Sequence, residues 1–268
     1  MLTHDPRNPQ IILLTTFLLL GVITRDWSLK LDLIAVLVVS TLGTQIICAW
    51  VTKSEKLNWR SALITSLSLI LLLRANHYTT MAIAGCLGIS SKFLLRFNQK
   101  HIFNPANFGI ISTLVLTPDA WVSPGQWGTS SWCVILFLST GMMIVKKVGR
   151  RDTCLSFLSV YISLTITRNL WLGWNWDVIQ HQLSNGSLLL FAFFMITDPR
   201  STPKAQVSRI IWGVGVAIVS FSLQTIWYIP TGLFWSLFIL SPVTILLDWF
   251  RSAPEFHWQN SLISSKQL

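Results

Sequence analysis

Apolar residues run along this chain in long continuous blocks, and polar residues gather in short breaks between them. Ten blocks can be drawn, at 10–24, 29–51, 59–74, 78–93, 105–117, 130–147, 153–169, 186–198, 207–228 and 231–249. Their length predicts helices, and their continuity excludes a transmembrane β-barrel, whose strands alternate apolar and polar positions. Several blocks fall short of the roughly 20 residues that cross a bilayer. Short or interrupted spans are what a cavity-forming membrane protein uses near its midplane.

Composition makes the environment explicit. Of the 268 residues 52% are hydrophobic and 11% charged, and the mean hydropathy is +0.57, against roughly 25% charged residues in a soluble domain. The fold class expected is therefore an all-α integral membrane protein of about ten transmembrane helices. The opening MLTHDPRNPQ lacks a basic region leading into a short apolar stretch with a small-residue cleavage site, so the first block reads as a retained span. Cys48, Cys86, Cys133 and Cys154 stand singly in apolar surroundings without C-x-x-C spacing, which suits small core residues rather than a metal site.

The net charge of +10 is explained by topology. With ten spans, one side holds Arg7, then Lys53, Lys56 and Arg60, then Lys92, Arg96 and Lys100, then Lys146, Lys147, Arg150 and Arg151, then Arg200, Lys204 and Arg209, and finally Arg251 and Lys266. The other side keeps only Arg25, Lys30, Arg74 and Arg168. The positive-inside rule then puts both termini in the cytoplasm, with the chain multi-pass in the cell inner (plasma) membrane. No nucleic-acid partner is needed to account for the charge. Trp27, Trp50, Trp59, Trp121, Trp127, Trp132, Trp171, Trp174, Trp176, Trp249 and Trp258 lie at or near block ends, where indole rings favour the headgroup region of the lipid bilayer. The loop 117–129 and the Trp-rich turn from Asn169 to His181 fall on the non-cytoplasmic side.

One shift lays Ser61 to Arg74 on Gly186 to Pro199 and Lys100 to Gly109 on Thr225 to Phe234, matching Pro105 with Pro230. Two repeats follow, at about 1–122 and 126–250, with 251–268 as a cytoplasmic tail of a single membrane domain. An odd number of spans per repeat inverts the second copy, and inverted repeats carry their site where discontinuous helices of the two halves meet. Two interruptions qualify. In SLLLFAFFMITDPRSTP, from Ser187 to Pro203, two prolines end the helix, leaving backbone groups and the Asp198 carboxylate that a membrane tolerates only against protein or a wet cavity. Asn104-Pro105 opens the fifth block as a helix cap followed by a first-turn proline. A purely structural helix start accounts for it fully, while a functional start would aim its dipole at an anion or a polarised ring.

Other charged positions are weaker candidates. Asp248, beside Trp249 and Arg251, reads as an interfacial ion pair, Arg74 and His77 lie at the outer end of the third block, and Asp32 begins the second. No serine–histidine–carboxylate set, G-x-S-x-G, Walker loop or zinc spacing is present, so hydrolysis and nucleotide-driven pumping have no support.

K-F-L-L-R at Lys92, then H-I-F-N-P-A-N-F-G through Gly109, then G-S-L-L-L-F-A-F-F-M-I-T-D-P-R-S-T-P from Gly186 to Pro203, and the closing Pro230-Thr-Gly with Asp248 beyond it, carry a resemblance over roughly 60–250. The chain resembles a short, divergent member of the RnfD/NqrB family, membrane components of the Rnf electron-transport complex and of the sodium-translocating NADH:quinone reductase. The resemblance implies a ten-span inverted-repeat protein that binds flavin and passes electrons within an ion-pumping complex. It implies FMN or riboflavin as cofactor, with Asn104, Pro105, Thr197, Asp198, Pro199 and Thr202 as binding residues. Amides at the helix starts would stabilise the negative charge of a reduced flavin or its phosphate, and Asp198 would order the break by accepting amide hydrogen bonds.

In the family FMN is commonly esterified to the last threonine of an S-G-A-T-like motif. That position corresponds to Thr129, where S-P-G-Q-W-G-T keeps only Gly128-Thr129, so non-covalent flavin is the expectation. Ile239-Leu240-Ser241-Pro242 keeps only the proline of the segment before the final acid, which bears on coupling to cation transport. Partners implied are other subunits of an electron-transfer complex, with a ferredoxin-like or flavoprotein donor on the basic cytoplasmic face. The chain has no NADH site of its own. Two readings stand beside this one: a small-solute or flavin transporter or channel on the same fold, and a non-catalytic assembly component.

Overall fold

The computed structural model describes residues 5–25, 30–53, 58–98, 100–123, 131–254 and 256. Contacts divide the chain into two units, Met1–Gly125 and Gln126–Leu268. Each is described by itself.

The first unit holds α1 (Arg7–Arg25), α2 (Leu31–Val51), α3 (Trp59–Leu72), α4 (Tyr78–Leu94) and α5 (Pro105–Leu116). The five apolar blocks of the first half each form one of these helices. Helix α1 packs on α3, α2 on both α3 and α4, and α4 on α5. The α4–α5 crossing is close because each helix lends a glycine to it: a Cβ on Gly88 would lie 2.8 Å from the Pro105 carbonyl oxygen, and one on Gly109 2.6 Å from that of Ala84. Small residues of this kind let membrane helices approach backbone to backbone. Two short antiparallel ladders modify the all-α expectation, joining β1 (Leu73–Arg74) to β4 (Trp121–Val122) and β2 (Arg96–Phe97) to β3 (Lys100–His101).

The second unit holds α6 (Ser131–Val148), α7 (Arg151–Trp171), α8 (Trp176–Leu183), α9 (Gly186–Leu190) running into a π-helical turn (Phe191–Met195), α10 (Gln206–Thr225), α11 (Gly232–Leu240) and α12 (Val243–Phe250). Its helices find neighbours in the same order as in the first unit: α6 packs on the π-turn, α7 on α10, and α10 on α11. Glycine also allows close approach elsewhere in each unit: a Cβ on Gly85 of α4 would run into Ser40 Oγ of α2, and one on Gly213 of α10 into Ser156 Oγ of α7.

The structure differs from the sequence reading in two elements here. Helix α8 is an addition, sitting where a Trp-rich turn was expected. The tenth block is two helices bent by 44° at Ser241-Pro242. The ring of Pro242 interrupts the ladder, and the Leu240 carbonyl at the break accepts from the buried Trp212 indole at 2.9 Å.

Leu31–Val51 and Gln206–Thr225 are each long and apolar enough to cross a membrane, and the bent pair Gly232–Phe250 passes the same test as one span. Exposed Ile12, Ile47, Ile135, Ile211 and Leu246 leave the helices coated with aliphatic side chains, the surface expected of a protein solvated by lipid. Trp50, Trp59, Trp121, Trp171, Trp174, Trp176 and Trp249 are exposed near helix ends, as anchors would be. Trp27, Trp127 and Trp258 lie outside the described residues. The chain is a mostly helical membrane protein.

Candidate functional site

The interruption after α9 is built by its own sequence. Asn185 caps α9, its side chain accepting from the Ser187 amide at 2.9 Å. The helix then widens, the Ile196 amide reaching back to the Phe191 carbonyl at 3.0 Å, a five-residue step. Pro199 has no amide hydrogen to give Met195, and the Met195 carbonyl accepts from the Asp198 amide instead, at 3.3 Å. Thr197 Oγ1 donates to the Phe193 carbonyl at 2.6 Å. Asp198 orders the turn that follows: Oδ1 accepts from the Arg200 amide at 3.1 Å, Oδ2 from Ser201 Oγ at 3.2 Å, and its carbonyl from the Thr202 amide at 3.1 Å. The carboxylate thus takes one amide and one hydroxyl of the turn, and the Asp198 main-chain carbonyl takes the Thr202 amide.

Thr197, Ser201 and Thr202 are buried, and Thr202 meets a group that sequence reasoning missed. Arg150 caps α7 just after Gly149, whose φ of +71° lets the chain leave α6. Its side chain is buried, with Nε donating to Thr202 Oγ1 at 3.1 Å. Burial, with the Arg209 charge nearby, pulls the guanidinium down to about 10, while Asp152, Asp198 and Asp248 act to keep it charged. Arg209 is itself paired with Asp152, its Nη2 2.6 Å and its Nε 2.7 Å from Oδ2. The Lys204 backbone is held on both sides of its Cα, its amide donating to Asp248 Oδ1 at 2.6 Å and its carbonyl accepting from Arg209 Nη1 at 2.6 Å. Asp248 thus serves a backbone amide, a partner that the expectation of an interfacial ion pair beside Arg251 did not include. The signal for Arg150 was its place between a glycine and a helix start; the basic run around it pointed to topology alone.

The first unit contains the other interruption. Asn104 caps α5, its Oδ1 accepting from the Asn107 amide at 3.1 Å, and Pro105 fills the first turn, so the structural account of Asn104-Pro105 holds. Lys92, from the same family stretch, is buried in α4 and donates to Gln45 Oε1 at 3.1 Å and Ser61 Oγ at 3.2 Å. At the opposite end of α4, Asp119 accepts from the Asn76 and His77 amides at 3.1 and 3.0 Å and from Thr80 Oγ1 at 2.5 Å. The Thr80 hydroxyl and those two amides hold its carboxyl below the usual range. The structure therefore brings Thr197, Asp198, Pro199 and Thr202 together in one unit and places Asn104 and Pro105 in the other. Thr129 lies outside the described residues.

A family model for NQR2, RnfD and RnfE matches residues 121–256. The chain is 24% identical over 287 residues to a component of the Na(+)-translocating ferredoxin:NAD(+) oxidoreductase complex of Acetobacterium woodii, covering 91% of this chain and 87% of that protein. It is 33% identical over 67 residues to a component of the ion-translocating oxidoreductase complex of Halorhodospira halophila, covering 25% of this chain and 19% of that protein. The family match takes in the π-turn, the 196–205 connection, Arg150 and Asp248 together, and this chain belongs to the NQR2, RnfD, RnfE family.

Proposed function

We propose that this chain is a membrane electron-transfer component of an Rnf/NQR-like oxidoreductase, holding FMN or riboflavin non-covalently. The observation that carries the reading is the 191–205 segment, where a π-turn, two prolines and a buried Arg150–Thr202 contact fall inside the family match. A π-turn and a proline break in one apolar helix are costly for packing alone, and such bulges gather at functional positions. The two relatives are named as subunits of ion-translocating oxidoreductase complexes, which supports other complex subunits as partners and cation transport as the coupled process.

Two inverted repeats of five spans are part of the reading. They are supported by the shared order of helix neighbours in the two units. The one-sided distribution of basic residues supports cytoplasmic termini in the inner membrane, with that face as the docking side for a ferredoxin-like or flavoprotein donor.

The residues near the break are of the types a flavin needs, but they are already engaged. Phe191 packs on Phe157 and Phe234, Phe193 lies against Gly141, Thr197 Oγ1 donates to the Phe193 carbonyl and Thr202 Oγ1 accepts from Arg150, so on this reading a flavin enters by displacing some of these contacts. In the first unit, Asn104 caps α5 and already takes the Asn107 amide, so the helix start there is accounted for structurally. When bound, the flavin supplies one- and two-electron transfer. The chain's own part is to position the ring, exclude water and offset negative charge. An absorption spectrum of protein purified from flavin-replete cells tests this: oxidised-flavin bands that bleach on dithionite are expected. A colourless protein that rebinds neither FMN nor riboflavin overturns the flavin reading and leaves the transporter or assembly alternatives.

A further inference from the structure

The two units each use a carboxylate in the same way, and the sequence repeat does not align them. In the first unit Asp119, just beyond α5, reaches back to the connection between α3 and α4, where it takes the Asn76 and His77 amides ahead of Tyr78. In the second unit Asp248, in the helix beyond α11, reaches back to the connection ahead of α10, where it takes the Lys204 amide. In both cases the acid lies beyond one helix, α5 or α11, and secures the entry to the helix before it, α4 or α10. Neither of those entries is self-capped: His77 and Ala205 stand at the cap positions without a side-chain cap bond. Both acids bond amides at or just ahead of the cap residue, so they fix the chain as it enters the helix, and a carboxylate there also favours the positive end of the dipole.

We infer that Asp248 is a positioning residue for the 196–205 connection and that Asp119 is its counterpart in the first unit. The inference rests in part on the proposed flavin site, because the connection Asp248 secures contains Thr197, Asp198 and Thr202. Asp248 fixes one end of that connection at the Lys204 amide, Arg209 holds the same residue by its carbonyl, and Arg150 secures the middle at Thr202. Helix α12 can supply the acid because the bend at Ser241-Pro242 redirects it from the line of α11. The bend and the acid therefore form one device.

Hydrogen–deuterium exchange of the full-length protein in detergent micelles tests the pair. Asp248→Ala should speed exchange in the peptide 200–206 by about tenfold or more, the loss expected for a charge-assisted hydrogen bond, and leave 75–80 unchanged. Asp119→Ala should do the reverse. Asp248→Asn retains an acceptor oxygen, so it should stay within about threefold of wild type in 200–206. Unaltered exchange in Asp248→Ala, or Asp248→Asn as fast as Asp248→Ala, overturns the inference. If Asp248→Ala cannot be purified folded, Asp248→Asn decides alone, near-wild-type exchange supporting the inference and a tenfold loosening overturning it. Flavin content of the same samples separates the two claims. Wild-type protein without flavin removes the proposed function and leaves the exchange result standing. Flavin lost in Asp248→Ala and kept in Asp248→Asn is the positioning result, and flavin fully retained while 200–206 loosens contradicts it.

Discussion

Replacing Gly109 by alanine tests the crossing on which α5, and hence Asn104-Pro105, depends. The new Cβ would stand 2.6 Å from the Ala84 carbonyl oxygen, 3.4 Å from Leu69 Cδ2 and 3.5 Å from the Ala84 carbonyl carbon. The nearest of these is backbone inside a helix, which cannot rotate away as a side chain would. The two helices must part by most of an ångström. Overpacking of this kind costs about 1–3 kcal/mol, offset by about 1 kcal/mol because alanine is the better helix former. The net expectation is a loss of about 1–2 kcal/mol. Gly43→Ala is the matched control: it also sits inside a helix, α2, but its added Cβ would meet nothing within 4 Å. It should be neutral or stabilise by up to about 1 kcal/mol. Apparent Tm values of both variants, taken at one scan rate in one detergent, should move apart by several degrees. Gly109→Ala melting at or above wild type, or Gly43→Ala falling as far, would refute the close α4–α5 packing.

Four further outcomes follow from named contacts. Asn104→Ala removes the α5 cap and should cost about 1 kcal/mol in the same assay, with Asn104→Asp recovering most of it. Thr202→Val leaves Arg150 Nε without its buried hydroxyl acceptor and should cost about 1–3 kcal/mol, together with bound flavin; unchanged stability and flavin would contradict the role given to that contact. Asp119 is held below its ordinary value of 3.8, so its contribution is complete above that pH and lost as pH falls through the lowered folded value. Exchange protection of 75–80 should therefore persist at pH 4 and fail in stronger acid, with no such step in Asp119→Asn. The peptide carrying Thr129 should have its unmodified mass in flavin-containing protein, and a mass increased by esterified FMN would reverse the non-covalent reading.

Much of the helical order was legible because apolar continuity is a strong signal. Every one of the ten blocks contains helix, and both interruptions were marked by their prolines. What escaped has physical reasons. Trp176–Leu183 mixes Asp177, Gln180 and His181 with apolar residues over only eight positions, too short and too polar for a block. The π-turn depends on where one amide points, from Ile196 to Phe191, and five consecutive apolar residues do not encode that choice. Pro242 did announce a break, but in the sequence it served only as a fragment of a family pattern. Arg150 and Asp248 were read for charge and membrane side, whereas their roles come from long-range partners at Thr202 and Lys204. Asp119 drew no notice for the same reason, since its partners lie in another loop.

The most direct test is the amount of flavin released per polypeptide when the purified full-length protein is denatured in acid, measured for wild type and for Thr202→Val. The account predicts close to one FMN or riboflavin for each wild-type chain and a clear fall in the variant. Wild-type protein that releases none after incubation with either flavin would contradict it.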